Sequence, residues 1–460
     1  MKIPFVGGHY KGYSQFNNPQ ETQNFWLGLD VVGGKEIAVL FGTPGLLAKN
    51  ETMKNAEVRG SIVIGDYLYA VSGDTVYYID SNYRATAMAT TLDTSSGPIY
   101  MVTDGTYILI TDGVAGYTVT GLEVTKITDA SFPTPSSCAY LDGFFLASIA
   151  NSDGIIPSAL DDPTSWDATD IFYAESSGDN NTRVIVDHRE VWIYGTKTIE
   201  VWILTSAGFE RVRSAAIEVG TEAGATVTKA SQTLWWYDQG FIYRANGYQP
   251  QIVSSEQFSA QVKNFSTTSD AIAYSYKKMG HEFYVLTFPT ENKTFMLDTE
   301  TLIPVTLASF PNDGRHRSNC YAKFNGKNVV GDFENGKLYE LDLNTYTDNG
   351  NVLRSIRIAQ PGHSDRKKLA IPYLEVLFHN GVGIVSGQGS DPQAIMQFSR
   401  NGGRTYGNEK WRTMGKIGEY TSRAVWRQNG AARDWAFKLV ITDPVFRGVI
   451  SAHMDVVRSR

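Results

Sequence analysis

The chain holds 460 residues, 42% hydrophobic and 19% charged, with a formal net charge of −7. That length allows two or three domains with ample core, and so low a charge content excludes a disordered chain. The two cysteines, Cys138 and Cys320, stand far apart and outside any CxxC or histidine cluster, which excludes a zinc ribbon and a disulfide framework and fits a reducing compartment.

At the start, Met1 to Gly12 lacks an apolar h-region. The most apolar long window, Phe25 to Ala48, is interrupted by Asp30, Lys35, Glu36 and Pro44. Neither a signal peptide nor a membrane span is expected. Residues 1–50, rich in Gly and Asn, read as an N-terminal lead-in segment. From Ser61 the pattern turns to short strands: Ser61 to Ile64, a Gly65-Asp66 turn, Tyr67 to Val71, a second turn at Ser72-Gly73-Asp74, then Thr75 to Ile79. β-branched and aromatic residues alternating between turn formers make a meander.

The unit repeats. Turns between two apolar runs fall at Gly65, Asp104, Asp142, His188, about Thr233, Gly280 and Asn325, a period of roughly 45 residues. A β-repeat of that length is the mark of propeller blades, and the spacing predicts six or seven of them over residues 51–350. A helix is expected only around Ser254 to Phe265, where Phe258 and Val262 stand at i, i+4 beside capping serines. The repeat fades near Asp348-Asn349-Gly350. Pro361-Gly362-His363-Ser364-Asp365 reads as a linker or exposed loop. Residues 351–460 then form a β-sandwich-like module with strands at Tyr373 to Phe378, Ala394 to Phe398, Arg423 to Trp426 and Trp435 to Ile441. The fold class is therefore all-β, a propeller followed by a C-terminal module.

Charge divides the same way. Residues 1–353 carry a net −16 and residues 354–460 a net +9. A mostly acidic body argues against a protein that grips duplex DNA, whose affinity rests on basic charge. Arg404, Lys410, Arg412, Lys416, Arg423, Arg427 and Arg433 crowd into 30 residues of the basic module and are the candidate partner-binding residues, expected to meet an acidic protein neighbour, with phosphate contact as the rival.

Catalytic patterns are scarce. There is no GxSxG elbow, HExxH pair or P-loop, so no catalytic, cofactor-binding or metal-binding residue is assigned. Gly381-Val382-Gly383-Ile384-Val385-Ser386-Gly387 reads as a glycine-rich hairpin. Asp161-Asp162 and Asp167 to Asp170 read as solvated loop carboxylates without calcium-loop spacing. Leu234-Trp235-Trp236-Tyr237 suits blade core or an aromatic contact surface. Ser399-Arg400-Asn401-Gly402-Gly403-Arg404-Thr405-Tyr406 resembles the Asp-box turn of sialidase-like propellers, with Asn401 and Tyr406 in place of Asp and Trp. Arg183, Arg189, Arg211 and Arg213 show no spacing that marks a carboxylate-clamping triad.

Three longer stretches carry a family resemblance. They are Asn24-Phe25-Trp26 with Leu40 to Leu46; Ser165 to Asp170, Ala174-Glu175, Asp187 to Gly195 and Ile199 to Trp202; and the Asp-box-like turn with Gly415 to Tyr420, Trp426-Arg427, Ala432 to Trp435 and Ile441 to Val445. In this order they resemble the packaged-DNA stabilisation proteins of short-tailed bacteriophages, also called tail accessory factors, tail hubs or nozzles. Phe172 and Tyr173 depart from the family's smaller residues.

That resemblance implies a non-enzymatic component of the virion tail, assembled in the host cytoplasm. It implies a ring, usually a homohexamer, below the portal and its adaptor, extending the DNA channel, retaining packaged DNA and docking tailspikes or fibres, with a tail needle or plug as a further partner. Genomic duplex DNA would pass without tight binding. The competing readings are a sialidase-like or other glycan-processing propeller enzyme and a glycan-binding propeller.

Overall fold

The computed structural model describes residues 1–10, 20–32, 35–49, 53–175, 177–359 and 367–458; the expected linker at Pro361 to Asp365 lies outside them. Among the described residues strand dominates, with a single α-helix, Glu256–Val262, capped by Ser255 and burying Phe258 and Val262. No helix there is long and apolar enough to cross a membrane.

Six antiparallel meanders of four strands follow one another, then a seventh of three strands that a strand from the start of the chain completes. Their first strands are Val58–Ile64, Tyr100–Thr103, Pro135–Leu141, Asn181–Asp187, Thr228–Ala230, Ile272–Lys278 and Ser318–Phe324. Each joins its second strand at or within two residues of a turn that the spacing predicts. The turns work because the backbone can take the left-handed conformation there. Asp142, His188, Ser231, Met279 and Asn325 all have φ between 48° and 52°, each followed by a second positive φ, as two-residue hairpins of this twist require.

The meanders close into one ring. The first strands of neighbouring blades lie against each other about a common axis, except that Asn181–Asp187 of the fourth meets the Gly224–Thr226 turn leading into the fifth; the last, Ser318–Phe324, lies against the first, Val58–Ile64. A separate apolar cluster fills each of the seven junctions; that between the last and first blades joins Phe324, Val329 and Leu338 to Val58, Leu68 and Tyr77. The fold is thus a β-propeller, and the count within the expected six or seven is seven.

Trp235 and Trp236 show how a blade serves two neighbours. Successive strand residues point to opposite faces, so Trp235 packs toward Tyr284 of the following blade and Trp236 toward Tyr194 of the preceding one. Both are fully buried. The tryptophan pair is core, and the contact-surface reading of that stretch is set aside.

The lead-in residues are shared between the two halves of the molecule. Gly45–Ala48 pairs antiparallel with Leu338–Asp342 and supplies the outer strand of the last blade. A side chain at Gly45 would press within 2.2 Å of the Thr345 carbonyl oxygen, so only glycine lets this strand dock. Phe25–Val32 and Lys35–Gly42 instead pair with each other and join Gly448–Arg458, Leu369–Phe378 and Ala424–Arg427 in one sheet of the C-terminal module. Glu21–Gln23, Ser355–Ala359, Ala436–Ile441, Gln393–Ser399 and Lys410–Thr413 form the opposing sheet. Between the sheets lies an apolar core including Phe5, Phe25, Leu374, Trp426 and Phe437.

That second sheet is continuous with the sixth blade through a parallel bridge from Gln23 to Thr306. Next to the bridge sits Asn24, buried and at φ 52°. Its amide donates to the carbonyls of Ala308 and Arg354, both at 2.8 Å, and accepts from the Ala308 N–H at 2.9 Å. Two buried arginines bind the same region. Arg357 donates to the carbonyls of Phe5 and Gly8 and to Thr22 and Gln20, and Arg447 to Leu353 and Ser355.

Asp348, 2% exposed, follows the last blade, and one of its oxygens has no hydrogen-bond partner. Burial pushes its pKa up to about 6, with the nearby Asp332 charge adding to the rise and Arg317 opposing it. A carboxyl raised in the fold favours the folded state most below its unfolded value, and that contribution is lost as pH rises through about 6. Asp348→Asn is therefore expected to stabilise the protein by about 2 kcal/mol at pH 8 and hardly at all at pH 4. Urea denaturation at the two pH values measures the difference.

Candidate assembly surface

The basic residues of the C-terminal module divide according to the elements that carry them. Lys410–Thr413 is the edge strand of one sheet and Ala424–Arg427 the edge strand of the other, and the two edges meet. The Trp426 indole donates to the Lys410 carbonyl at 2.7 Å, and the Arg412 guanidinium donates to the Val425 carbonyl at 2.7 Å. This seam brings Lys410, Arg412, Arg423 and Arg427 together.

Their states differ. Arg423 grips Glu375 with two hydrogen bonds of 2.7 and 2.8 Å and also reaches the Tyr373 hydroxyl. The Arg423 guanidinium holds the Glu375 carboxyl down at about 2, so the pair stays charged until strongly acid pH. Arg427 lies over the Tyr373 ring, 5.4 Å from its centre. Lys410 lies over Phe398, donates to Asn429 at 3.3 Å, and has its pKa lowered by burial and then by the charges of Arg412 and Arg400. A row of cations on edge strands also blunts unwanted strand pairing.

The other three candidates lie off this seam. Arg404 sits in the Asp-box-like turn, Lys416 in the loop after Thr413, and Arg433 after the short strand Ala431–Ala432; all three are exposed. Sequence reasoning did not single out Arg400, Glu375 or Tyr373, because their partners are brought close only by sheet pairing.

The Asp-box-like turn keeps its local chemistry despite Asn401. The Asn401 amide oxygen accepts from the Thr405 N–H at 3.0 Å, and Ser399 accepts from the Gly403 N–H at 2.9 Å. Gly402 and Gly403 have φ of 72° and 91°. The stretch Gly381 to Gly387, expected as a hairpin, is an irregular loop instead. It lies against the loop that follows Thr413, so closely that a side chain at Gly381 would come within 2.7 Å of the Tyr420 ring. Ile417, Tyr420 and Val385 of these loops are exposed.

The acidic side is built differently. Asp161, Asp162, Asp167, Asp170 and Glu175 are all exposed on the third blade and its exit loop. Asp162 accepts from Thr164 and Asp167 from Thr169, so each closes its own turn. Phe172 is accommodated by stacking on Phe209, 5.0 Å between ring centres. Among the described residues no cluster of His, Cys, Asp and Glu could hold a metal ion.

Two family models match this chain. Residues 1–346 match the phage stabilisation model described as bacteriophage P22 Gp10, β-propeller, and residues 364–457 the one described as bacteriophage P22 Gp10, β-sandwich. The chain belongs to the P22 Gp10 family. It is a structural phage tail and stabilisation protein, and the propeller and sandwich described above are the family's two parts. No curated protein sequence matches the chain. Among solved structures, virginiamycin B lyase from Staphylococcus aureus is similar at 13% identity and a TM-score of 0.46, over 64% of this chain and 98% of that one. The computationally designed Ika8 protein is similar at 8% identity and 0.43, over 65% and 99%. The N-terminal domain of Nup159 is similar at 11% identity and 0.40, over 70% and 98%.

Proposed function

We propose that this tail protein is a subunit of a ring, six copies in the family's usual arrangement, set below the portal adaptor. The ring extends the DNA channel, retains the packaged genome, and offers surfaces to tailspikes or fibres and to a needle or plug. It assembles in the host cytoplasm. The working division is a propeller over 51–350, closed by Gly45–Ala48, and a basic module over 351–460 that takes strands from the first 42 residues.

The observation that carries this reading is the basic seam. Exposed Arg412, Arg423 and Arg427 line the junction of two edge strands, while residues 1–353 are net −16. Opposite charges on one chain suit head-to-tail contact between copies, or contact with an acidic adaptor, and such contacts steer encounter and fix register. The acidic body also suits a conduit, because walls that repel phosphate let DNA slide.

Arg427 is a cleaner probe than Arg423, whose charge is already engaged by Glu375. Arg427→Glu is expected to weaken assembly with the adaptor about tenfold at low salt, with the difference shrinking as salt screens it. Mass photometry of the mixture across a salt series reads this out. An unchanged complex would leave Arg427 as a solvent-facing charge; a loss of duplex-DNA affinity instead would favour the phosphate reading.

A further inference from the structure

A cavity of about 770 Å³ opens where the inner strands of the blades begin. That size suits a small organic ligand. The inner strands of the first, fourth and seventh blades carry a β-bulge there, at Arg59, Thr182 and Asn319, and all three bulged residues line the cavity. A bulge re-aims a side chain, and here it turns polar groups toward the mouth of the propeller.

Three arginines line this mouth and their situations differ. Arg59 is committed to structure, with five hydrogen bonds to Gly73, Thr94, Ser96 and Gly97. Arg315, 8% exposed, bonds Asn319 at 2.7 Å and lies over Phe333, but its Nε has no acceptor; the charges of Glu57 and Asp270 act on it. Arg183 has no acidic partner at all among the described residues. It lies over Tyr100, 3.8 Å from the ring centre, with Nε and Nη1 covered and without acceptors. A guanidinium cannot shed its proton, so it demands an acceptor.

The opposite demand is met in the same cavity. Asp270 accepts from the Thr290 N–H at 2.8 Å through one oxygen, while the other is buried and has no donor. Glu222 also lines the cavity. The enclosed nitrogens and oxygen lie out of a ligand's reach, so a ligand in the cavity would accept at the remaining Arg183 nitrogen and donate at the open oxygens of the carboxylates. Three carboxylates on the lining, those of Glu57, Glu222 and Asp270, balance its three arginines and leave no surplus positive charge for a polyanion, while Arg183, the arginine without a carboxylate beside it, suits a single negative charge.

We propose that the mouth of the propeller binds a small hydroxylated carboxylate, its carboxylate held by Arg183 and its hydroxyls by Asp270 and Glu222. This site goes beyond the tail role and does not depend on ring assembly, so it is tested on the isolated chain. Isothermal titration with gluconate, sorbitol and inorganic phosphate separates the contributions. Gluconate is expected to bind, with sorbitol and phosphate at least tenfold weaker. Arg183→Met is expected to lower gluconate affinity at least tenfold and remove its advantage over sorbitol. Because the substitution deletes an unpaired, partly buried charge, the variant should melt at or above the wild-type temperature. Asp270→Ala probes the other end and should weaken gluconate while the preference over sorbitol persists. Absence of gluconate binding to the wild type, or equal binding to Arg183→Met, overturns the proposal, as does tighter binding of phosphate than of gluconate.

Discussion

Replacing Leu46 with Asp is expected to cost about 5 kcal/mol or more and to leave the propeller open. Leu46 is 2% exposed and packs among Trp26, Val285, Val330 and Tyr339 between the last two blades. It stands opposite Leu341 in the strand that completes the final blade, and its carbonyl also accepts from Asn349. An aspartate there would bury a charge with no cation provided. Undocking the strand would also bare the edge of Leu338–Asp342, an invitation to aggregate. Leu46→Ala keeps the backbone pairing and loses only packing, so about 3 kcal/mol is expected. Urea denaturation followed by tryptophan fluorescence should rank wild type, Leu46→Ala and Leu46→Asp in that order. Equal midpoints for all three would mean that the ring does not depend on this strand.

Asn24→Ala should cost about 4 kcal/mol, although it removes only one small side chain. Two buried hydrogen bonds to Ala308 and a partly buried one to Arg354 disappear, leaving their polar groups without these partners. Alanine also resists a φ of 52°, which asparagine tolerates. The loss falls where the sixth blade, the first sandwich strands and the segment after the last blade converge. Asn24→Asp restores one acceptor but no donor, so its stability should lie between the two. Loss of protection in hydrogen exchange is expected first at Thr306 and Ala308 and on Ser355–Ala359. Uniform loss across all seven blades would place the role of Asn24 elsewhere.

The propeller was legible because its information is local. Each blade announces itself by a turn between two apolar runs, and all seven turns separate the first two strands of a blade. The same locality made the helix at Glu256–Val262 readable, through Ser255 and the spacing of Phe258 and Val262. Ring closure was not legible. Gly45–Ala48 is four residues long, has no turn beside it, and pairs with a strand nearly 300 residues later. Gly448–Arg458, a long strand central to the sandwich, has the same difficulty, since nothing near it in sequence pairs with it.

Side-chain roles followed this divide. The crowd of basic residues before residue 434 was visible as composition, but only sheet pairing separates Arg412 and Arg427, on the seam, from Arg404, Lys416 and Arg433, away from it. Glu375 lies 48 residues from Arg423, so its grip on that arginine could not be read from spacing. Arg183 stood out as one arginine among several. Its unusual state depends on Tyr100, which a different blade supplies.

The most direct test of the assembly account is electron microscopy of the purified chain mixed with its adaptor. A closed ring of six subunits, each showing a seven-bladed disc and contacting the next copy or the adaptor through the seam of Arg412 and Arg427, is the result the account predicts. Single discs that never join a ring at any salt concentration, with or without the adaptor, would contradict it.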